Sequence, residues 1–155
     1  MKIINSKGIL NVIIPMLIFL LALIGISETF SDLMIVKTLG DIVQWIIQTA
    51  SFVIMILILV TIMLSINSTD EFIFTKNNVK RFNRLGYMFM ILTAFEYIRT
   101  IITKQIFLGA VINIEYKIII SGSMCIIMIL GLLCFLIADS FQKAINIKEE
   151  NDLTI

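Results

Sequence analysis

"FTKNNVKRFNRLGYMFM", Phe74 to Met90, starts as a polar, cation-rich turn and runs without a break into an apolar segment. Thr75 has the chemistry of a helix N-cap, because its hydroxyl can accept from the amide of Asn78 and close a first turn. From there Val79, Phe82, Leu85 and Phe89 recur at steps of three and four, the spacing of one helical face. Lys76, Lys80, Arg81 and Arg84 fall on the remainder. The pattern predicts one helix from Lys76 to about Thr103, roughly 42 Å long at 1.5 Å per residue. A hydrocarbon core is about 30 Å thick, so the basic turns are expected to project beyond it or lie in its interface.

The rest of the chain demands the same solvent. Of its 155 residues 59% are hydrophobic and 15% charged, against roughly 45–50% and about 25% in soluble domains. A single soluble core of this size cannot hide that much apolar surface, and the excess has to face lipid. Four runs approach the roughly 20 residues needed to span a bilayer: Ile9 to Ile26, Ile42 to Ile66, Gly86 to Thr103 and Ile118 to Ala138. None alternates with period two, and in hydrocarbon each backbone amide must be satisfied within its own segment, so all four read as helices. The fold class is therefore all-α, an integral-membrane four-helix bundle forming a single domain, with residues 139–155 as a tail. Pro15 removes one backbone hydrogen bond from the first run and predicts a kink there. A secretory leader is the alternative reading of that run, but its apolar stretch is long for one, and a retained anchor is expected.

Orientation follows from lysine and arginine in the short flanks. Lys2, Lys7, Lys76, Lys80, Arg81, Arg84, Lys143 and Lys148 lie on one side, against Lys37, Lys104 and Lys117 on the other, with Arg99 near the latter. Both termini and the basic turn are expected in the cytoplasm of a multi-pass plasma-membrane protein. The two outer connections, "FSDLMIVKTLGDIVQW" and "QIFLGAVINIEY", are greasy. They are expected along the outer interface or folded back on the bundle, with Trp45 and Tyr116 at headgroup depth.

"AFEYIRT" carries the charges within a span. Glu96 and Arg99 are three residues apart on one helical face, the spacing of an ion pair. Counted from Gly86, Glu96 is about 15 Å along the helix, near the bilayer midplane. Charge there is costly and marks a functional site unless the two side chains merely neutralise each other. Catalysis is not expected. Histidine is absent, which removes the commonest metal ligand and general base, and no phosphate-binding glycine loop or redox cysteine pair occurs. Cys125 and Cys134, nine residues apart, fall on opposite helical faces and read as small buried hydrophobes. Ser121 and Ser123 lack an obvious base and read as small packing residues beside Gly122. No metal, cofactor or direct nucleic-acid contact is expected.

Phe74, Thr75, Asn78, Arg84, Leu85 and Gly86, with the closing Glu149, Glu150, Asn151, Asp152, Leu153 and Thr154, resemble the third-span motif and the acidic ending of a bacterial family, domain of unknown function 2975. Phe82 stands where that pattern has leucine. The resemblance implies a small four-span membrane protein, with genes often beside a helix-turn-helix repressor. A cytoplasmic transcription regulator is therefore the implied partner, held by the basic turn and by Glu149, Glu150 and Asp152 of the tail, which would dock on a basic surface or add as a strand. The competing reading is a small transporter or immunity protein with a pocket at Glu96 and Arg99.

Overall fold

The computed structural model describes residues 6–34, 36–67, 74–103, 110–113 and 119–152. Lys2, Lys104, Tyr116, Lys117, Ile118 and residues 153–155 lie outside the described residues. The elements run α1 (Ser6–Leu33), α2 (Leu39–Asn67), α3 (Lys76–Thr103), β1 (Ala110–Asn113), β2 (Ile119–Ser121) and α4 (Gly122–Asp152). All four helices are long and apolar enough to cross a membrane, and only 11% to 22% of the most apolar window of each is buried. The all-α reading stands, and most of the apolar surface points outward, as a lipid environment requires. The chain divides into two compact units, Met1–Asn67 and Ser68–Ile155.

In the first unit α1 runs on through Pro15 and packs on α2. A Cβ at Gly25 would sit 3.2 Å from the Phe52 ring, so the glycine admits that ring against the α1 backbone. The greasy connection between the first two spans is mostly helix, because α1 continues to Leu33 and α2 starts at Leu39. A capping box starts α2. The Thr38 hydroxyl accepts from the Asp41 amide at 3.2 Å, and the Asp41 carboxylate accepts from the Thr38 and Lys37 amides at 2.9 and 3.1 Å. Trp45 donates its indole N–H to the Thr29 carbonyl at 2.9 Å, and Gln48 reaches Glu28 at 3.2 Å. Inside α2 the hydroxyls of Thr49, Ser51, Thr61 and Ser65 each bond the carbonyl one turn back, so that none faces lipid unsatisfied.

In the second unit α3 and α4 pair along their length. Thr75 is the N-cap that the sequence calls for, its hydroxyl accepting from the Asn78 amide at 3.2 Å. Thr75→Ala should lower the melting stability in detergent by about 1 kcal/mol while leaving the helical circular dichroism of the folded state unchanged. Beyond the cap, Val79, Ala138 and Ile145 are buried together, with Phe82 and Phe141 packed against them. The Phe141 ring takes the edges or faces of Phe74 and Phe82 at centroid distances of 5.2 and 5.4 Å, both near perpendicular. Further along, Gly86 and Gly131 let the two backbones approach: a Cβ at Gly131 would lie 3.3 Å from the Gly86 carbonyl oxygen.

Two expectations need correction. α4 begins at Gly122, and residues 119–121 are extended, pairing antiparallel with β1 through Ala110↔Ser121 and Asn113↔Ile119. The run of isoleucines before α4 is β-branched and suits a strand, which the apolar count alone could not separate from the span behind it. The segment read as a tail from residue 139, in turn, is helical up to Asp152. It prolongs α4 into a helix of 31 residues, about 46 Å long, because Phe141 and Ile145 keep the helical register facing α3.

Candidate functional site

Glu96 and Arg99 meet as a two-pronged ion pair. The Arg99 Nη2 and Nε donate to Glu96 Oε1 and Oε2 at 2.7 and 3.0 Å, and the side chains are 32% and 14% exposed for Arg99 and Glu96 respectively. One helical turn separates them, so the pair forms without help from another element. The partner from across the hairpin is Ser123, whose hydroxyl donates to Glu96 Oε1 at 3.0 Å. Ser123 also shares a 2.8 Å hydrogen bond with the fully buried Ser121, and Ser121 caps α4 by accepting from the Met124 amide at 3.3 Å. Thr100, 1% exposed, returns its hydroxyl to the Glu96 carbonyl at 2.8 Å.

This geometry corrects one sequence reading and locates Glu96 against α4. Ser123 is the second residue of α4, so Glu96 stands where α4 begins and not halfway along the shared length of α3 and α4. The positive end of the α4 dipole and its orphan amides favour a carboxylate there. The two serines, read as packing residues, instead supply the hydroxyls that connect α4 to the charge. Their signal was local: serine three residues before Met124, at the edge of an apolar run, is a cap pattern. Counting the span from Ile118 hid it.

The basic turn and the tail are the second locus. Lys76 pairs with Glu149 at 2.8 Å, with both side chains more than half exposed. Arg81 donates to the buried Asn78 amide oxygen at 3.1 Å. Lys143 pairs with Asp139 along α4 at 2.8 Å. Lys80 and Arg84 are exposed, and so are Glu150 and Asp152 near the end of α4. The exposed pairs add little stability, because water screens them. The aromatic contacts of Phe141 hold the two segments together, and Phe141 is a residue that charge counting missed. Cys125 and Cys134 are free thiols, half-buried. Among the described residues no group of three or more His, Cys, Asp or Glu side chains is placed to hold a metal.

Four spanning helices with an ion pair beside one helix terminus define a multi-pass helical membrane protein. Residues 37–155 match the family model described as "Protein of unknown function (DUF2975)". The chain belongs to that family. No curated protein and no solved structure matches it.

Proposed function

We propose that this protein is a non-enzymatic anchor of the bacterial cytoplasmic membrane that holds a soluble regulator at its inner face. The observation that carries the reading is the contact between the two segments that bear the family resemblance. Lys76 of the basic turn meets Glu149 of the tail, and Phe141 packs between Phe74 and Phe82. Residues far apart in sequence thus form one ordered surface of both charges at the end of a helix longer than the hydrocarbon it crosses. A folded partner with complementary patches can dock on such a surface without first paying to order it. A regulator of the helix-turn-helix class is the partner that the resemblance implies, with Glu149, Glu150 and Asp152 as its contacts from α4.

The reading requires the turn to lie inside, so a reporter fused near residue 78 should be active only in the cytoplasm. The full chain, solubilised in mild detergent, should retain a co-expressed helix-turn-helix protein of the kind the resemblance implies as a neighbour, and Glu149→Lys with Glu150→Lys should release it. Equal retention by wild type, by that double variant and by empty resin would end the proposal.

A further inference from the structure

The cations at the start of α3 are not equivalent. Lys76 is neutralised by Glu149, and Arg81 is bonded to Asn78. On α4, Lys143 is neutralised by Asp139. Lys80 and Arg84 are exposed, and among the described residues neither has a carboxylate partner. They are four residues apart and so stand one above the other, about 6 Å apart along the axis. The same row continues with Tyr87, 64% exposed, and Ile91, 46% exposed, on the side of α3 away from Val79, Phe82 and Leu85, which are buried or half-buried.

We infer that Lys80 and Arg84 form a binding site for the phosphate of an anionic phospholipid in the inner leaflet. The guanidinium offers two parallel N–H donors to phosphate oxygens, and the lysine adds a point charge from the turn below. Tyr87, one turn above Arg84, packs one side of its ring against Phe135 of α4 and keeps 64% of its surface exposed, an amphipathic ring of the kind that accompanies headgroups. Ile91 then presents aliphatic surface to the acyl chain. The order cation, cation, tyrosine, isoleucine along one face is the order of groups in a phospholipid read from its head inward. A soluble protein could neutralise the two cations but could not follow the row to Ile91, within a helix apolar enough to span. That continuity selects lipid over a cytoplasmic protein. The site is separate from the Lys76–Glu149 surface and does not depend on any regulator.

The full chain, purified in neutral detergent and stripped of lipid, is titrated with fluorescent phosphatidylglycerol and, separately, with phosphatidylcholine. Phosphatidylglycerol should bind more tightly, and the preference should weaken with salt. K80A combined with R84A should weaken phosphatidylglycerol binding about tenfold, the scale expected for two partly screened interfacial cations. K76A should leave it within about twofold, since Lys76 is already paired. The exchange K80R with R84K keeps both charges and should retain most of the affinity. If the double alanine variant lost its thermal transition, K80Q alone should still show a loss of about threefold. Equal binding of the two lipids would overturn the assignment. So would an unchanged affinity in the folded double variant, an equal loss in K76A, or full displacement by millimolar inorganic phosphate, which would mark a site for the free anion.

Discussion

Glu96→Gln or Arg99→Gln should each destabilise the detergent-solubilised protein by about 2–3 kcal/mol, whereas the two changes combined should cost about 1 kcal/mol or less. The asymmetry comes from what each single change leaves behind. Removing one partner of a buried pair strands the other charge, which costs about 3–5 kcal/mol in fully buried cases. Here the arginine side chain keeps 32% exposure, so water relieves part of that penalty. The double variant leaves no charge, and its amides can still meet the Ser123 hydroxyl. A double-mutant cycle from denaturation in detergent measures the coupling. Coupling near zero would mean that the two-pronged contact contributes nothing. Ser123→Ala should cost less, about 0.6 kcal/mol, the average for hydrogen bonds between membrane helices. The same Glu96→Gln variant addresses the transporter reading: unchanged export or resistance would count against any role for this carboxylate in transport. With both carboxylate oxygens engaged by Arg99, and one also by Ser123, the pair has the geometry of mutual neutralisation.

Gly86→Ala should cost about 1–3 kcal/mol, the usual range for overpacking, although alanine is the better helix former by about 1 kcal/mol. A Cβ at Gly86 would lie 2.7 Å from two carbons of the Phe135 ring and 2.9 Å from a third. The ring has little room to swing away, because Tyr87 packs against it at 5.1 Å and 76°. Phe135→Leu in the Gly86→Ala background should recover at least half of the loss, since the smaller side chain vacates the space the methyl needs. Gly40→Ala is the control: its Cβ would meet only the Thr38 hydroxyl at 3.6 Å, and no loss is expected. Thermal melts of the four proteins in one detergent decide the matter. A neutral Gly86→Ala would show that α3 and α4 do not approach as closely as the glycines allow.

Much of this fold was legible residue by residue. The span of α3, Lys76–Thr103, follows from an apolar face of period 3.6 and a threonine cap, both local signals. The pairing of Glu96 with Arg99 is equally local. The Glu96–Ser123 hydrogen bond was not, because its partners are 27 residues apart and meet only once α4 has docked. Nor was the strand pair ahead of α4, whose apolar residues satisfy a span count as well as a strand. The helical tail was hidden for a third reason: its polar composition reads as solvated, and only the packing of Phe141 against Phe74 and Phe82 gives it a reason to stay helical.

That the chain forms four helices long and apolar enough to cross a membrane was determined by sequence alone, since a backbone in hydrocarbon must bond to itself and each apolar run therefore folds without reference to the others. Which side chains face one another across α3 and α4 was decided by tertiary structure. Lipid offers no hydrophobic drive to bring helices together, so their register depends on close approach at Gly86 and Gly131 and on hydrogen bonds such as Ser123 to Glu96. Those contacts place Lys76 beside Glu149 and leave Lys80 and Arg84 facing outward.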